Sequence, residues 1–528
     1  MLKSQQLVIS RAPTGIFLIR SFSVNSKLYS ASSKLASNEK SSKDAKKIPS
    51  PRQLKEYLDQ YIIGQEIGKK VLSVAVYNHY LRINDKQKKI QKAAELELLE
   101  KELKEKEVDP ADPVYSGTSE SLAGIKNLRR QLEIAKANED NDLTLSKSNV
   151  LVVGPTGSGK TLLASTLARV LDVPIVITDC TQLTQAGYIG DDVEKCIEKL
   201  LVDADFDVAK AERGIVVLDE IDKLAKSSKN IMSKDVSGEG VQQSLLKIIE
   251  GHQVEVVAKR PIKVKFDEKN NKSVGKKEET YIVDTSNILF MIMGAFVGLD
   301  KHISTRISNM KLEKEQENKT KKGEPKSEKR KLTEENSEDV KEISNNKIDE
   351  ITLDNGKTIP ALNLTSPADL ISFGIIPELV GRVPIVTALQ PLHQKDLFHI
   401  LKEPKNALLN QYIYIFKQFG VDLYVTDKAL TRVADFALKE GTGARGLRGI
   451  MERLLLNVNY ECPDNDIAYV LVNEDTVKSL QQTEYSLATH VEAKFYTKDE
   501  VNLLLEGLQK EDAKLAERLK RKLNRKSF

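Results

Sequence analysis

The sequence contains no tryptophan and only three cysteines, Cys180, Cys196 and Cys462. None forms a CxxC pair, which excludes a disulfide scaffold and a cysteine-based zinc finger, so no zinc is expected. Long hydrophobic runs are missing as well. No stretch approaches the ~18 apolar residues of a membrane helix, and no membrane span is expected. A surplus of one charge is also lacking: 81 Lys and Arg stand against 77 Asp and Glu, a net +4 over 528 residues. Residues 1–38 hold five cations (Lys3, Arg11, Arg20, Lys27, Lys34) and no acid, so this stretch carries +5 and the remainder is left at −1. A body this close to neutral has no global electrostatic footprint for DNA or RNA, which makes nucleic acid an unexpected partner. With 40% apolar and 30% charged residues, the expectation is a soluble, intracellular chain of roughly two to four domains with some fully solvated segments.

The acid-free beginning reads as an address. Residues 1–38 are rich in Ser and Arg and space apolar residues (Leu7, Val8, Ile16, Phe17, Leu18, Ile19, Phe22) among the cations. That is the composition of a mitochondrial presequence, which places the mature protein in the matrix. A secretory signal fits less well, because Arg11 and Arg20 interrupt any continuous apolar region. A disordered linker is expected to about residue 49.

Ser50-Pro51-Arg52-Gln53 has the form of a helix entry, and helical apolar spacing follows to Ile83 with a break at Gly64. Residues 86–142 are Lys/Glu-rich, with Leu96, Leu99 and Leu103 in one periodic piece and Leu122, Ile125, Leu128 and Leu132 in another. Either a helical, coiled-coil-like insertion or a solvated one fits this pattern. From Ser148 onward, continuous apolar runs (Val150–Val153, Ile175–Thr178, Gly214–Leu218, Ile288–Met293) alternate with helical segments. Such runs need cover on both faces, so the fold class is α/β with a doubly wound parallel sheet. Residues 311–350 hold 11 Lys and Arg and 12 Asp and Glu against five Leu, Ile or Val, and are expected to be disordered. The α/β domain should thus span 50–388 with insertions at 86–142 and 311–350. A small mainly α-helical domain is expected over 389–500, with helices at Leu397–Phe419, Thr426–Leu438 and Ala444–Val458 and a strand at Ala468–Val472. Residues 501–528 read as a basic, solvated amphipathic helix, with Leu515, Leu519 and Leu523 on one face.

The chemistry begins at Gly154-Pro155-Thr156-Gly157-Ser158-Gly159-Lys160-Thr161, an ungapped GxxxxGK[ST] between a strand and a helix. Its glycines let backbone N–H groups curl around phosphate oxygens, Lys160 reaches the β- and γ-phosphates, and Thr161 offers a hydroxyl to Mg²⁺. ATP and Mg²⁺ are therefore the expected ligands. Gly214-Ile215-Val216-Val217-Leu218-Asp219-Glu220 supplies the second half: a buried strand ending in two carboxylates 59 residues after Lys160. Asp219 is assigned to Mg²⁺ and Glu220 to polarising the attacking water. Hydrolysis at such sites also needs an arginine. Two stand in suggestive contexts, Arg382 in Gly381-Arg382-Val383-Pro384 and Arg445 in Gly443-Ala444-Arg445-Gly446, and spacing alone does not separate them from structural arginines. Gly187-Tyr188-Ile189-Gly190 places an aromatic and an aliphatic residue between glycines, which fits either a buried turn or a loop presenting an apolar tip to another chain.

Together these residues resemble the ClpX family of AAA+ protein unfoldases, over roughly residues 50–85, 145–310 and 365–475. The resemblance runs through Tyr61-Ile62-Ile63-Gly64-Gln65, the P-loop, Gly187-Tyr188-Ile189-Gly190, Asp235-Val236-Ser237-Gly238-Glu239-Gly240-Val241-Gln242-Gln243, Gly294-Ala295-Phe296 and Gly443-Ala444-Arg445. The related HslU carries a large domain after its pore loop, whereas only 23 residues separate Gly190 from Gly214 here. The resemblance implies a P-loop AAA+ module followed by a small helical domain, assembled as a homo-hexamer that pulls client polypeptides through a central pore. It implies adenine contacts from Ile62 and Ile63, nucleotide sensing by Arg445, and Arg382 reaching the neighbouring subunit's ATP. Tyr188 would grip substrate in the pore loop Gly187–Gly190, with Asp235–Gln243 in or beside a second pore loop.

The sequence departs from the family in three places. No cysteine precedes Cys180, so the family's zinc-binding N-terminal domain is missing. No Ile-Gly-Phe, the tripeptide that docks the peptidase ClpP, occurs between Gly298 and Leu370, so ClpP docking is not expected. The Arg-Lys-His segment at the pore entrance is replaced by Val256-Val257-Ala258-Lys259-Arg260-Pro261. Mitochondrial members of the family are associated with helping pyridoxal phosphate enter 5-aminolevulinate synthase, which makes haem biosynthesis an expected client pathway. A ClpP-associated regulatory subunit and a nucleic-acid-associated AAA+ motor stand as alternatives.

Overall fold

The structure, a computed structural model, describes residues 48–107, 126–127, 129–130, 143, 145–184, 191–225, 238–261, 276–321, 350–352, 356, 358–481 and 493–526. The expected presequence, the loop Gly187–Gly190 and Asp235–Ser237 lie outside these residues.

A five-stranded sheet organises the larger domain. Its strands are β1 (Val150–Val153), β2 (Ile175–Asp179), β3 (Ile215–Asp219), β4 (Leu289–Gly294) and β5 (Ile385–Ala388), in the spatial order β5-β1-β4-β3-β2. Every pairing is parallel. All of β1 and β4 is buried, as continuous Val, Leu, Ile, Phe and Met demand. The edge strand β5 is not evident in the sequence, because Ile-Val-Thr-Ala is short and stands between Pro384 and Pro391. A hairpin absent from the expectations, Gln253–Pro261 with Lys276–Asp284, pairs antiparallel and turns Val254, Val256, Ala258 and Val283 into the core.

The entry helix Pro51–Asp59 is stopped in front by a capping box, in which Ser50 and Gln53 each bond the other's backbone N–H, with Pro51 in the first turn. After a turn with Gly64 and Gln65 at φ 67° and 56°, the helix Glu66–Glu107 begins. Its 42 residues extend about 63 Å and run without a break into the 86–142 insertion. Leu96, Leu99 and Leu103 are half-buried along it. The four apolar residues of the second periodic piece, Leu122, Ile125, Leu128 and Leu132, lie outside the described residues.

The expectation of disorder over 311–350 needs correction at its start, because the helix Leu299–Lys321 continues through residues 311–321. Lys and Glu are good helix formers, and a helix already anchored through Leu299 and Ile303 extends without paying for a new nucleus.

The smaller domain has its own core, built from Leu397, Leu401, Phe416, Leu430, Val433, Ile450, Leu454 and their neighbours. The expected helix Leu397–Phe419 is two, Gln394–Lys402 and Leu408–Gln418, parted at Pro404, which a helix interior does not tolerate. A three-stranded sheet joins them: Asp422–Val425, Tyr469–Val472 and Lys494–Tyr496. The C-terminal stretch is not a solvated helix. Helices Val501–Glu511 and Ala513–Lys526 bury Leu504, Leu508, Ala516 and Leu519 against Leu471 of that sheet, which accounts for the leucine face.

Candidate active site

The strand order brings the carboxyl ends of β1, β3 and β4 together, and in an open parallel sheet ligands bind beyond such ends. The segment after β1 turns sharply there. Gly157 and Gly159 hold φ of 78° and 93°, a conformation that a side chain would strain. Gly159 is the N-cap of the helix Lys160–Leu171, so the free N–H groups of its first turn face the loop. Gly154 N–H donates to Gly294 O at 3.2 Å, fastening the loop to the end of β4. Lys160 folds over the loop, its Nζ donating to Gly154 O at 2.7 Å and Pro155 O at 3.0 Å. Burial holds the Lys160 ammonium below its ordinary pKa, Arg445 lowers it further, and Asp219, Asp222 and Glu220 oppose the shift.

The acidic pair arrives at the end of β3. Thr161 Oγ1 donates to Asp219 Oδ2 at 3.1 Å, so the two expected metal ligands are in contact. Asp219 Oδ1 accepts the Glu220 N–H at 3.0 Å. Glu220 itself sits in the left-handed region, φ 59° and ψ 33°, which costs a non-glycine residue about 1–2 kcal/mol. Asp222, buried in the following turn, accepts the Ala295 N–H at 3.1 Å and lies where β4 leaves the sheet. Sequence reasoning missed Asp222; its place three residues after Asp219 was the available signal.

The residues fit a nucleoside triphosphate with a divalent cation. The buried Ser158 hydroxyl makes no hydrogen bond, and Thr161 with Asp219 is the hard oxygen donor set that Mg²⁺ takes.

The smaller domain closes one side of this loop. A Cβ on Gly157 would stand 2.9 Å from Thr442 O and 3.2 Å from Gly443 Cα, so only glycine permits the approach. A cleft of about 310 Å³ opens beside it, lined by Thr156, Gly157, Phe296, Leu392, Leu438 and Gly441 among others. Arg445, the second residue of the helix Ala444–Glu461, is close enough to act on Lys160 electrostatically. Ile62 is buried and Ile63 half-buried at the foot of the entry helix; neither is among the residues lining the cleft. Their loop is tied to the interdomain linker. Gln65 Nε2 donates to Gln390 O at 2.7 Å and Gln65 Oε1 accepts from Gln390 N at 2.8 Å, while Lys405 N donates to Gln60 O at 2.9 Å.

Arg382 lies elsewhere. It follows the short helix Pro377–Gly381 and precedes β5, whose Ile385 pairs with Val150 at the start of β1. Arg382 O accepts from Asn149 Nδ2 at 3.0 Å, also at the start of β1. The P-loop leaves the other end of that strand, about 13 Å away at the rise of a four-residue strand. Arg382 Nε instead donates to Glu250 Oε1 at 2.7 Å. The sequence-assigned residues thus divide: Gly154–Thr161, Asp219, Glu220 and Arg445 are brought together, and Arg382 is not among them. Gly187, Tyr188, Ile189 and Gly190 are outside the described residues.

A family model described as AAA domain (Cdc48 subfamily) matches residues 145–386, from before the P-loop into β5. Over 495 residues the chain is 63% identical to a Saccharomyces cerevisiae protein named ATP-dependent clpX-like chaperone, mitochondrial, covering 93% of this chain and 92% of that protein. It is 41% identical over 420 residues to the ATP-dependent Clp protease ATP-binding subunit ClpX of Treponema denticola, covering 79% and 78% of the two chains. With the protein of Methylococcus capsulatus named ATP-dependent Clp protease ATP-binding subunit ClpX 3, identity is 38% over 442 residues, covering 81% and 80%.

Proposed function

Because the chain belongs to the ClpX family of AAA+ ATPases, we propose that it works in the mitochondrial matrix as a homo-hexameric ring that unfolds or remodels client proteins through a central pore. The ATP-dependent chaperone activity itself follows from the family. The observation that carries the mechanism is the contact of Thr161 with Asp219 beside the left-handed Glu220, under a P-loop that the smaller domain covers.

The chain's own groups divide the work as follows. Gly154–Thr161 hold the phosphates by backbone N–H groups, and Lys160, released from the loop carbonyls, neutralises them. Thr161 and Asp219 would hold Mg²⁺, which when bound would supply neutralisation of phosphate charge. Glu220 orients and polarises water and takes up its proton. Arg445 reports the nucleotide to the smaller domain, and Ile62 and Ile63 contact the adenine. Arg382 serves the nucleotide of an adjacent copy, a reading supported by its place at the opposite end of β1. Tyr188, in the loop Gly187–Gly190, grips the client.

The ring is proposed to act without ClpP, since no Ile-Gly-Phe stands between Gly298 and Leu370. Stoichiometric co-purification with ClpP under ATP would contradict this. The proposed client is 5-aminolevulinate synthase, with pyridoxal phosphate entry as the step assisted. The function is tested with a tagged, folded reporter: wild type should unfold it with ATP, and Tyr188→Ala should hydrolyse ATP at near the normal rate without unfolding. A Tyr188→Ala protein that unfolds the reporter normally would refute the pore-grip reading.

A further inference from the structure

We propose that Glu250 is the positioning residue of Arg382, gripping its guanidinium through Nε so that both terminal nitrogens stay free for the phosphates held by an adjacent copy of the chain. The proposal rests on the reading of Arg382 as an arginine supplied to a neighbour.

The Arg382 side chain is 58% exposed, and its bond to Glu250 Oε1 at 2.7 Å is its only hydrogen bond or ion pair among the described residues. A guanidinium presents five N–H groups in one plane. Engagement at Nε leaves the Nη1 and Nη2 groups, the pair best suited to a phosphate, without an intramolecular partner. An ion pair exposed to this degree adds little to folding stability, so its consequence is orientation. A long side chain leaving a surface loop would otherwise sample many rotamers, and a phosphate-directed group loses effectiveness steeply when misplaced.

Glu250 is able to impose that orientation because its own helix is fixed. It is the last residue of the helix Glu239–Glu250, which buries Val241, Leu245, Ile248 and Ile249. Near the other end Gln242, fully buried, donates from Nε2 to Leu224 O at 2.8 Å and accepts at Oε1 from Ile376 N at 2.9 Å. Leu224 closes the turn that follows Glu220, and Ile376 is the N-cap of the short helix that ends at Arg382. The helix is therefore braced against both the strand exit that carries Glu220 and the segment that carries Arg382. Glu250 extends the second brace to the guanidinium itself.

The test is a double-mutant cycle on the full-length chain assembled with ATP, measuring steady-state ATP turnover. Glu250→Ala should lower kcat about tenfold with KM nearly unchanged, as expected of a misplaced transition-state group. Glu250→Gln, which keeps the Oε1 acceptor, should recover most of the rate, a rescue that mere removal of a surface charge would not predict. Glu250→Ala combined with Arg382→Ala should be no slower than Arg382→Ala alone, because the first change acts only through the second residue. Wild-type turnover in Glu250→Ala beside a strongly impaired Arg382→Ala would overturn the proposal and leave the reading of Arg382 intact. Losses that multiply in the double variant would also overturn it. Normal turnover in Arg382→Ala would remove that reading and this proposal together. Should Glu250→Ala fail to assemble, Glu250→Asp, whose carboxylate is withdrawn by one methylene, should be about threefold slower than wild type; an unchanged rate would overturn the proposal.

Discussion

The two ends of the central sheet are built for different work. At the carboxyl ends of β1, β3 and β4 the chain gathers the P-loop, Thr161 against Asp219, Glu220 and, from the smaller domain, the loop Thr442–Ala444 with Arg445 behind it. At the amino ends it places Arg382, paired with Glu250 and exposed to solvent. One end holds nearly everything needed to bind and hydrolyse a nucleotide. The other carries an exposed guanidinium whose only side-chain partner among the described residues is Glu250. On the function proposed above, the difference means that a single copy grips nucleotide but hydrolyses it well only beside another copy, which would tie turnover to assembly.

The comparison is broken most forcefully at Arg382. Arg382→Ala should lower ATP turnover by about 10³-fold or more while leaving nucleotide binding close to normal; an equally large loss of binding, read by titration with a fluorescent nucleotide, would place Arg382 in its own subunit's site. Glu220→Gln should slow turnover by roughly 10²–10⁴-fold with binding kept, and should hold clients on the ring. Single-turnover kinetics check this, and a normal rate would remove Glu220 as the base. Arg445→Ala should weaken nucleotide binding by about tenfold, the worth of one charge-assisted contact, and leave the rate at saturation less affected. The opposite pattern would reassign it to the reaction step.

The smallest effect concerns how the amino ends are pinned. His79 lies buried there, its Nε2 3.1 Å from Asn287 O, and burial foremost, with Arg82 and Lys147 adding, pushes its pKa down to about 3. The unfolded chain then binds the extra proton between about pH 6.5 and 3. The stability tied to neutral His79 is present above pH 6.5 and is lost as pH falls through that window. Between pH 7 and 4, wild type should lose about 3 kcal/mol more than His79→Gln, which stays neutral. Urea unfolding at the two pH values checks this, and parallel losses in both proteins would contradict it.

The carboxyl-end half of this picture was open to reading because it is local. Lys160, Thr161, Asp219 and Glu220 lie in short contiguous runs whose residue types are dictated by phosphate and metal, and the flanking strands are apolar on both faces. The amino-end half was not. Glu250 and Arg382 are 132 residues apart, and nothing in either neighbourhood names the other. Gln242 stood in a recognised stretch, yet its two bonds cross to Leu224 and Ile376, which sequence spacing does not reveal. In the smaller domain, Leu515, Leu519 and Leu523 gave the helix period correctly but not its partner. A leucine stripe looks the same whether it meets water, a lipid surface or the strand Tyr469–Val472. The strand Asp422–Val425 was hidden for a related reason, since four residues between two helices carry too little period to register. Spacing alone left Arg382 and Arg445 as equal candidates; the resemblance gave them different roles, and the fold sets Arg445 near Lys160 and Arg382 at the other end of β1.

The central claim is that the two ends meet between copies of the chain, and mixing two inactive proteins tests it most directly. Arg382→Ala keeps an intact Glu220, and Glu220→Gln keeps an intact Arg382. Assembled together with ATP, the mixture should turn over nucleotide well above the mean of the two separate proteins, because some borders then join an intact Glu220 to an intact Arg382. A mixture that stays at that mean, with mixed assemblies demonstrated, would show that each copy completes its site alone.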